Sequence, residues 1–467
     1  MPVRAAPGPR AYVTLNGRET AHRPGTLARG TDGDDEISLS TTELTYNRLP
    51  LIALAGGLGN DTFYFGAPVN AWGGRGDDLF YNPGQNFYNP DLYPVPRLFG
   101  GAGRDTFYDG SGSADRYGGD GADHYATRRP GTINGAQEGD IDRMWLEGGN
   151  DSALVTFQSV SNPELGIVLE QRSIIVDGGA GIDTLRLESM DFIGSLFGDD
   201  TGLLDLSRMA RETMQINNAI LSNFERFDLQ ISLGVISELR TGQYDDVVEI
   251  TGSWPGWDAD EPLPFLLRLG AGHDRAIGSV TDLSETIIGG AGHDLLISNG
   301  TDPEGRDALF GGEGNDVLVA AAYTISHLNV RMSGGAGRDT FVIWRGYSAD
   351  QIITDFVQGE DRLVLNDGSF WNYDHHLPRA DLLAGIRPGR ELELLHEDAR
   401  FLEVGVITNE HYGTLYGQQL RYDRDSGVLW ARGVSDDPWG RIGRILDAPD
   451  LTLADLGFLP EVEWPAG

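Results

Sequence analysis

A single large apolar side chain recurs along this chain at a fixed distance from an aspartate. Ile37, Phe63, Phe80, Phe107, Tyr125, Leu185, Leu296, Leu318 and Phe341 each stand two residues beyond an Asp. Their neighbours, as in Thr62-Phe63-Tyr64, are β-formers, so each apolar position predicts a short strand with one side chain turned inward. Ahead of each strand lies a turn. Its full form, Gly-Gly-x-Gly-x-Asp, begins at Gly56, Gly73, Gly100, Gly118, Gly178, Gly289, Gly311 and Gly334. Glycines at these positions permit the positive φ and close backbone approach of a tight turn. Weaker relatives are Gly30-Thr-Asp-Gly-Asp-Asp35, a shortened Gly148-Gly-Asn-Asp151, Thr241-Gly-Gln-Tyr-Asp-Asp246, Leu269-Gly-Ala-Gly-His-Asp274 and a longer Gly300 to Asp307.

Spacing decides how these units assemble. Gly56 to Gly73 is 17 residues, Gly100 to Gly118 is 18, Gly289 to Gly311 is 22 and Gly311 to Gly334 is 23. Two nine-residue half-coils make one coil near 18 residues, so the Gly-Asp turns stack on one side. Opposite turns, such as Asp109 to Tyr117, are degenerate, and insertions loop out there. The prediction is an all-β chain, a right-handed parallel β-roll or β-solenoid with strands ~4.8 Å apart.

Composition supports a repeated turn: 65 of 467 residues are glycine. With 71 acidic against 35 basic residues the formal net charge is -36, a surface that repels nucleic acid and anionic lipid. Carboxylates in such excess favour hard, oxygen-seeking cations, calcium first. Cysteine is absent, which excludes disulfides, thiolate metal sites and thiol nucleophiles. Every basic residue is arginine, which excludes Schiff-base lysines and a P-loop. No apolar run reaches membrane-span length, and Met1 to Arg10 lacks the apolar core of a cleaved signal, so export is expected to use another signal.

The nonapeptides resemble the RTX, or hemolysin-type calcium-binding, repeats of proteins exported by Gram-negative type I secretion. Downstream, Ile353-Thr-Asp-Phe-Val-Gln-Gly-Glu-Asp-Arg-Leu-Val-Leu365, Leu420-Arg-Tyr-Asp-Arg-Asp-Ser-Gly-Val-Leu429 and Leu451-Thr-Leu-Ala-Asp-Leu456 are similar to the C-terminal module of such proteins, including serralysin-type proteases, with Leu456 where Phe is usual. The resemblance covers about residues 30 to 459, most loosely between 187 and 268. It implies calcium ligands from first- and third-position carbonyls, a fifth-position oxygen and the sixth-position Asp.

Carried onto this chain, the sixth-position set is Asp35, Asp61, Asp78, Asp105, Asp123, Asp183, Asp274, Asp294, Asp316 and Asp339. The first-position carbonyls are those of Gly56, Gly73, Gly100, Gly118, Gly178, Gly289, Gly311 and Gly334. Fifth-position oxygens come from Asp34, Asn60, Asp77 and Asn315, whereas Arg104, His293 and Arg338 offer only a carbonyl. A second row of ions is expected to be incomplete, because uninterrupted nine-residue tandems are lacking. A metal-free glycine-rich solenoid, its Asp residues capping turns, is the alternative for these residues. Carboxylates stacked about 5 Å apart would repel without a cation between them.

The expected organisation is an N-terminal extension at 1–29, β-roll repeats at 30–186, an irregular or degenerate solenoid segment at 187–268, repeats again at 269–342, and a β-rich capping module with an uncleaved secretion signal at 343–467. Phe341, Phe356, Leu363 and Leu365 are expected to close the repeat end. Catalytic motifs are not found. His396-Glu397 is a fragment of HExxH with Arg400 in place of the second His, there is no GxSxG, and His375-His376 has only Asp374 beside it. Acidic pairs such as Asp258 and Asp260 carry no information in so acidic a chain.

The chain is therefore expected to be a secreted calcium-binding repeat protein, folding on extracellular calcium as a surface or matrix component, its partners being calcium ions and the type I secretion apparatus. Two other readings stand beside it. One is a secreted hydrolase with its site in 187–268 or 366–419. The other is an adhesin whose Trp254, Trp257, Trp371 and Tyr373 bind surface glycans.

Overall fold

In the computed structural model the described residues are 11–22, 25–40, 53–65, 69–81, 95–108, 114–127, 141–156, 161–162, 167–168, 173–191, 202–216, 219–232, 236–252, 264–279, 284–299, 307–320, 329–344, 350–366, 382–384, 386–388, 392–405, 419–432 and 438–459. They are almost entirely β-strand. Two compact units divide the chain, one of residues 1–190 with 208–228, the other of 191–207 with 229–467. Asp109 to Ser113 of the opposite turn, and Trp254, Trp257, Asp258, Asp260, Trp371, Tyr373, Asp374, His375 and His376, lie outside the described residues.

In the first unit each coil contributes one strand to each of two sheets, with the Gly-Asp turn between them. One sheet stacks Leu27–Arg29, Ala53–Leu58, Asn70–Arg75, Arg97–Ala102, Asp115–Asp120, Ile141–Gly148, Ser173–Asp177 and Ala219–Ser222 in parallel. The other stacks Glu36–Ser40, Thr62–Phe65, Leu79–Tyr81, Thr106–Tyr108, His124–Ala126, Ser152–Thr156 and Thr184–Asp191, also parallel. This is the architecture of a β-solenoid. The register places Ile37, Phe63, Phe80, Phe107, Tyr125 and Leu185 in one inward row, each at most 2% exposed. Phe63, Phe80 and Phe107 stack at 4.8 and 4.6 Å. One inward position departs from the apolar rule: Arg116, between Leu98 and Met144, is fully buried and pairs with buried Asp142 at 3.1 Å. Residues 11–22 are more than an extension. They form a hairpin, Ala11–Leu15 with Arg18–His22, whose first strand pairs antiparallel with Glu36–Ser40 and covers that end of the sheet.

The second unit repeats the plan. One sheet holds Leu203–Asp205, Glu238–Arg240, Phe265–Ala271, Glu285–Ala291, Asp307–Glu313, Val330–Ala336, Gln351–Ile353 and Gly440–Ile445 in parallel. The other holds Val247–Gly252, Arg275–Ile277, Leu295–Ser298, Val317–Ala320, Thr340–Trp344, Arg362–Asn366 and Leu456–Leu459. Within 187–268, Leu203–Asp205, Ala219–Ser222, Glu238–Arg240 and Val247–Gly252 thus take parallel solenoid registers, whereas Met214–Ile216 pairs antiparallel with Ala219–Ser222. Phe341, Leu363, Leu365 and Phe356 are buried, yet they do not end the stack. Residues 351–366 form a further coil, and Gly440–Ile445 and Leu456–Leu459 pair beyond it. An antiparallel meander of Val428–Arg432, Gln419–Asp423, Phe401–Gly405 and Glu393–Glu397 extends the first sheet. Asp355 marks the end of the regular turns. Its carboxylate accepts the Gly334 and Gly335 N–H groups at 3.0 and 2.9 Å.

Local strain sits where the turn lacks glycine. Glu147 has φ 71° at the register position of Gly119, whose φ is 116°. A non-glycine residue there carries a backbone cost. Glu147→Gly is expected to raise stability by about 1 kcal/mol in chemical denaturation.

Candidate metal sites

The sixth-position aspartates form a continuous ladder. In the first unit the backbone N–H of Asp35 donates to Asp61 Oδ1 (2.9 Å), Asp61 to Asp78 (2.8 Å), Asp78 to Asp105 (2.8 Å), Asp105 to Asp123 (2.8 Å), Asp123 to Asp151 (2.7 Å) and Asp151 to Asp183 (2.8 Å). Glu225 ends it, accepting from Asp183 at 2.9 Å. In the second unit the same bond runs from Asp246 to Asp274, Asp294, Asp316, Asp339 and Asp361 at 2.8 to 2.9 Å. All of these aspartates except Asp361, at 5%, are at most 3% exposed.

In eight of the interior carboxylates one oxygen is thereby used and the other is not. Oδ2 of Asp61, Asp78, Asp105, Asp123, Asp151, Asp183, Asp274 and Asp339 is buried with no hydrogen-bond partner. The space beside it identifies what faces it. A Cβ on Gly73 would collide with Asp78 Oδ2 and lie 2.7 Å from the Gly100 carbonyl oxygen. Gly56 stands in the same way against Asp61 and the Gly73 carbonyl, Gly100 against Asp105 and the Gly118 carbonyl, and Gly289 and Gly311 repeat it with Asp294 and Asp316. At these turns first-position glycine is therefore required by crowding, since it leaves room for its own turn's carboxylate. At Asp61, Asp78 and Asp105 carboxylate and carbonyl oxygens meet without a proton donor, which is the surrounding a hard cation satisfies. Gly178 departs from this. Its Cβ would meet the Asn223 carbonyl first, with Asp183 Oδ2 at 2.9 Å.

At the ends of the ladders the second oxygen finds a donor within its own turn. Asp35 accepts the Thr31 N–H, Asp246 that of Gly242 at 3.1 Å and Asp361 that of Val357 at 2.7 Å. The unsatisfied oxygens thus belong to interior coils, where the second-position residue lies within the parallel ladder.

Burial is the largest influence on the interior carboxyls. Together with neighbouring carboxylates it raises Asp61, Asp123 and Asp183 to about 6, Asp78, Asp151 and Asp339 to about 7, and Asp105 and Asp274 to about 8, against the opposing backbone N–H bonds. A positive ion beside them would remove this penalty.

A second ladder runs along the fifth positions in the opposite sense. Asp34 Oδ1 accepts the Asn60 N–H at 2.7 Å, Asn60 that of Asp77 at 2.8 Å, and Asp77 that of Arg104 at 2.8 Å. Within the second unit Asp245, His273, His293 and Asn315 form a ladder of the same kind at 2.8 to 2.9 Å. The side-chain oxygens of Asp34, Asn60, Asp77 and Asn315 are thus bonded to the next coil's backbone. His293 does more than the carbonyl contribution expected of it, since its Nδ1 takes the place of a carboxylate oxygen. Arg104 has no acceptor to pass on, and the rail breaks there.

Asp151, Asp246, Asp361 and Glu225 were missing from the sequence-derived set. Asp151 looked like part of a shortened turn, but its frame begins at Leu146 and has full length. The signal that finds these acids is an Asp or Glu two residues before a buried apolar side chain, whatever stands at position one. Among the described residues no group of three or more His, Asp or Glu side chains gathers around one point. Any ion held here would therefore draw heavily on backbone carbonyls.

The HExxH fragment is otherwise occupied. His396 is exposed beside Asp398 at 3.0 Å, and Glu397 pairs with Arg424 at 2.7 Å. Among the described residues no helix is long and apolar enough to cross a membrane. No protein-family model matches the chain, and no curated protein matches it.

Proposed function

We propose that this chain is a calcium-binding β-solenoid of the RTX kind, secreted by a type I system and folded by the calcium it meets outside the cell. The observation that carries the reading is the row of buried, unpartnered aspartate oxygens, of which those of Asp61, Asp78, Asp105 and Asp123 lie beside a carbonyl of the next coil. Calcium accepts six to eight oxygens in irregular arrangements, which suits carbonyl-rich turns, whereas magnesium demands a near-octahedral set. At low calcium the excess of negative charge and the unpaired carboxylates oppose closure of the coils. At about millimolar calcium, binding free energy becomes folding free energy, and export of an extended chain becomes directional. The protein then acts as a surface or matrix component, its far C-terminal residues serving as the secretion signal.

Calorimetric titration of chelator-treated protein tests the reading. Several calcium ions should bind per chain with cooperative heats, and magnesium should not replace them. Absence of saturable calcium binding, or equal binding of magnesium, would refute it.

A further inference from the structure

The outward face of the first unit's glycine-bearing sheet carries a stacked row of aromatic rings. Trp72, Phe99, Tyr117 and Trp145 occupy successive coils in register, at centroid distances of 5.5, 4.8 and 5.0 Å and within 14° of parallel. Each inner ring is covered on both faces. Trp72 is not. Phe99 covers one face, while the next coil places Ala55 opposite the other, and Trp72 remains 40% exposed. One coil further, Arg29 holds the same row and is exposed. Beside this row Leu27, Ala53 and Asn70 repeat the arrangement of a small residue between two larger ones. The strand Ala53–Leu58 thus floors a slot between two strands about 9.6 Å apart, twice the usual strand spacing. The row lacks one rung.

We propose that this slot binds a pyranose ring bearing a carboxylate, within an acidic polysaccharide. The gap admits one ring-thick layer. A pyranose presents an apolar C–H face that stacks on the bare indole, and equatorial hydroxyls that can accept from Asn70 Nδ2, the Asn70 oxygen being held by the Arg97 N–H at 2.9 Å. Arg29 has no acidic partner among the described residues, and its guanidinium matches a sugar carboxylate. Trp72 supplies the stacking surface and Arg29 the charge selection. This assignment is independent of the calcium sites, which lie in the turns.

The test uses the full chain in calcium, with β-content verified by circular dichroism, and follows tryptophan fluorescence and calorimetric heats on adding oligogalacturonate or neutral maltotetraose. Oligogalacturonate should bind saturably and the neutral oligomer more weakly. Trp72→Ala should weaken binding by about tenfold or more. Ala55→Phe, which adds the missing rung and leaves Trp72 in place, should abolish it. Arg29→Gln should remove the preference for the acidic sugar. Because oligogalacturonate itself binds calcium, the variants separate the slot from the turns. No saturable binding by the unmodified chain, equal affinity for both sugars, or unchanged binding in Ala55→Phe would each overturn the proposal.

Discussion

Replacing Asp105 by asparagine is expected to shift stability in opposite directions with and without calcium. The Asp105 carboxyl, fully buried, is raised to about 8, chiefly by burial and then by the charges of Asp78, Asp123 and Asp77. Asparagine keeps an oxygen for the Asp78 N–H, now bonded at 2.8 Å, and places an amide donor near the Gly118 carbonyl where Oδ2 has none. In chelator above pH 8 the variant should therefore gain about 1–2 kcal/mol, the worth of satisfying a buried polar group and removing a buried charge. In calcium the same change deletes a ligand charge, and binding at that turn should weaken about 10- to 100-fold, or about 1.4 to 2.7 kcal/mol. Asp120→Asn, an exposed carboxylate on the next turn, should stay within about 0.5 kcal/mol in both conditions. Urea denaturation of the three proteins in chelator and in calcium reads the result. A loss of similar size for Asp105→Asn in both conditions would show that the carboxylate acts only as a turn cap.

The calcium-free protein should also respond to pH in the sense opposite to most acidic proteins. Free Asp titrates near 3.9, whereas the interior aspartates titrate at about 6 to 8 in the fold. A carboxyl with a raised folded value contributes its stability fully below the unfolded value and loses it as pH rises through the folded one. Chelated protein should therefore be most stable near pH 4 and lose stability steadily from there to about pH 8. Below about pH 4 the trend should turn. Asp398 and Asp423, held near 2 by hydrogen bonds including those from Phe401 N–H and the Arg400 guanidinium, then begin to lose their contribution. Calcium binding must displace the retained protons, so affinity should rise from pH 6 to 8 and binding should release protons. Thermal melts in chelator across pH 4 to 9, with titrations in buffers of different ionisation heat, measure both effects. Chelated protein that grows more stable from pH 6 to 8 would contradict the assignment of these carboxyls.

Much of this was legible because the repeat states its own geometry. An Asp followed two residues later by a large apolar side chain fixes turn, strand and inward direction together, and Phe63, Phe80, Phe107 and Tyr125 sit in one buried row as that pattern requires. Glycine was a less reliable marker. Position one needs it where the turn's own carboxylate lies over the Cα, as at Gly73, but Leu146 and Leu269 occupy that position in other coils and are buried. Reading the motif through its glycines therefore missed Asp151 and the frame that contains it. The two opposed ladders were not legible, because they depend on which neighbouring coil each oxygen faces. Asn60 and Asp77 look like free ligands in sequence and are bonded to backbone in space. Arg116 illustrates the limit of periodicity. Its position marks it as inward, but only the adjacent coil, which brings Asp142 within 3.1 Å, explains how a charge can stand there.

Circular dichroism of the full chain at pH 8, first in chelator and then through a calcium titration to millimolar concentration with magnesium as control, tests the central claim most directly. The eight interior carboxylates with an unpartnered oxygen are then largely ionised, so the account expects little β-structure in chelator or magnesium. Calcium should produce a cooperative rise to a β-rich spectrum, reversed by renewed chelation. A compact, fully β-rich spectrum in chelator, with a melting temperature that calcium leaves unchanged, would contradict it and leave the aspartate ladder as a metal-free hydrogen-bonded spine.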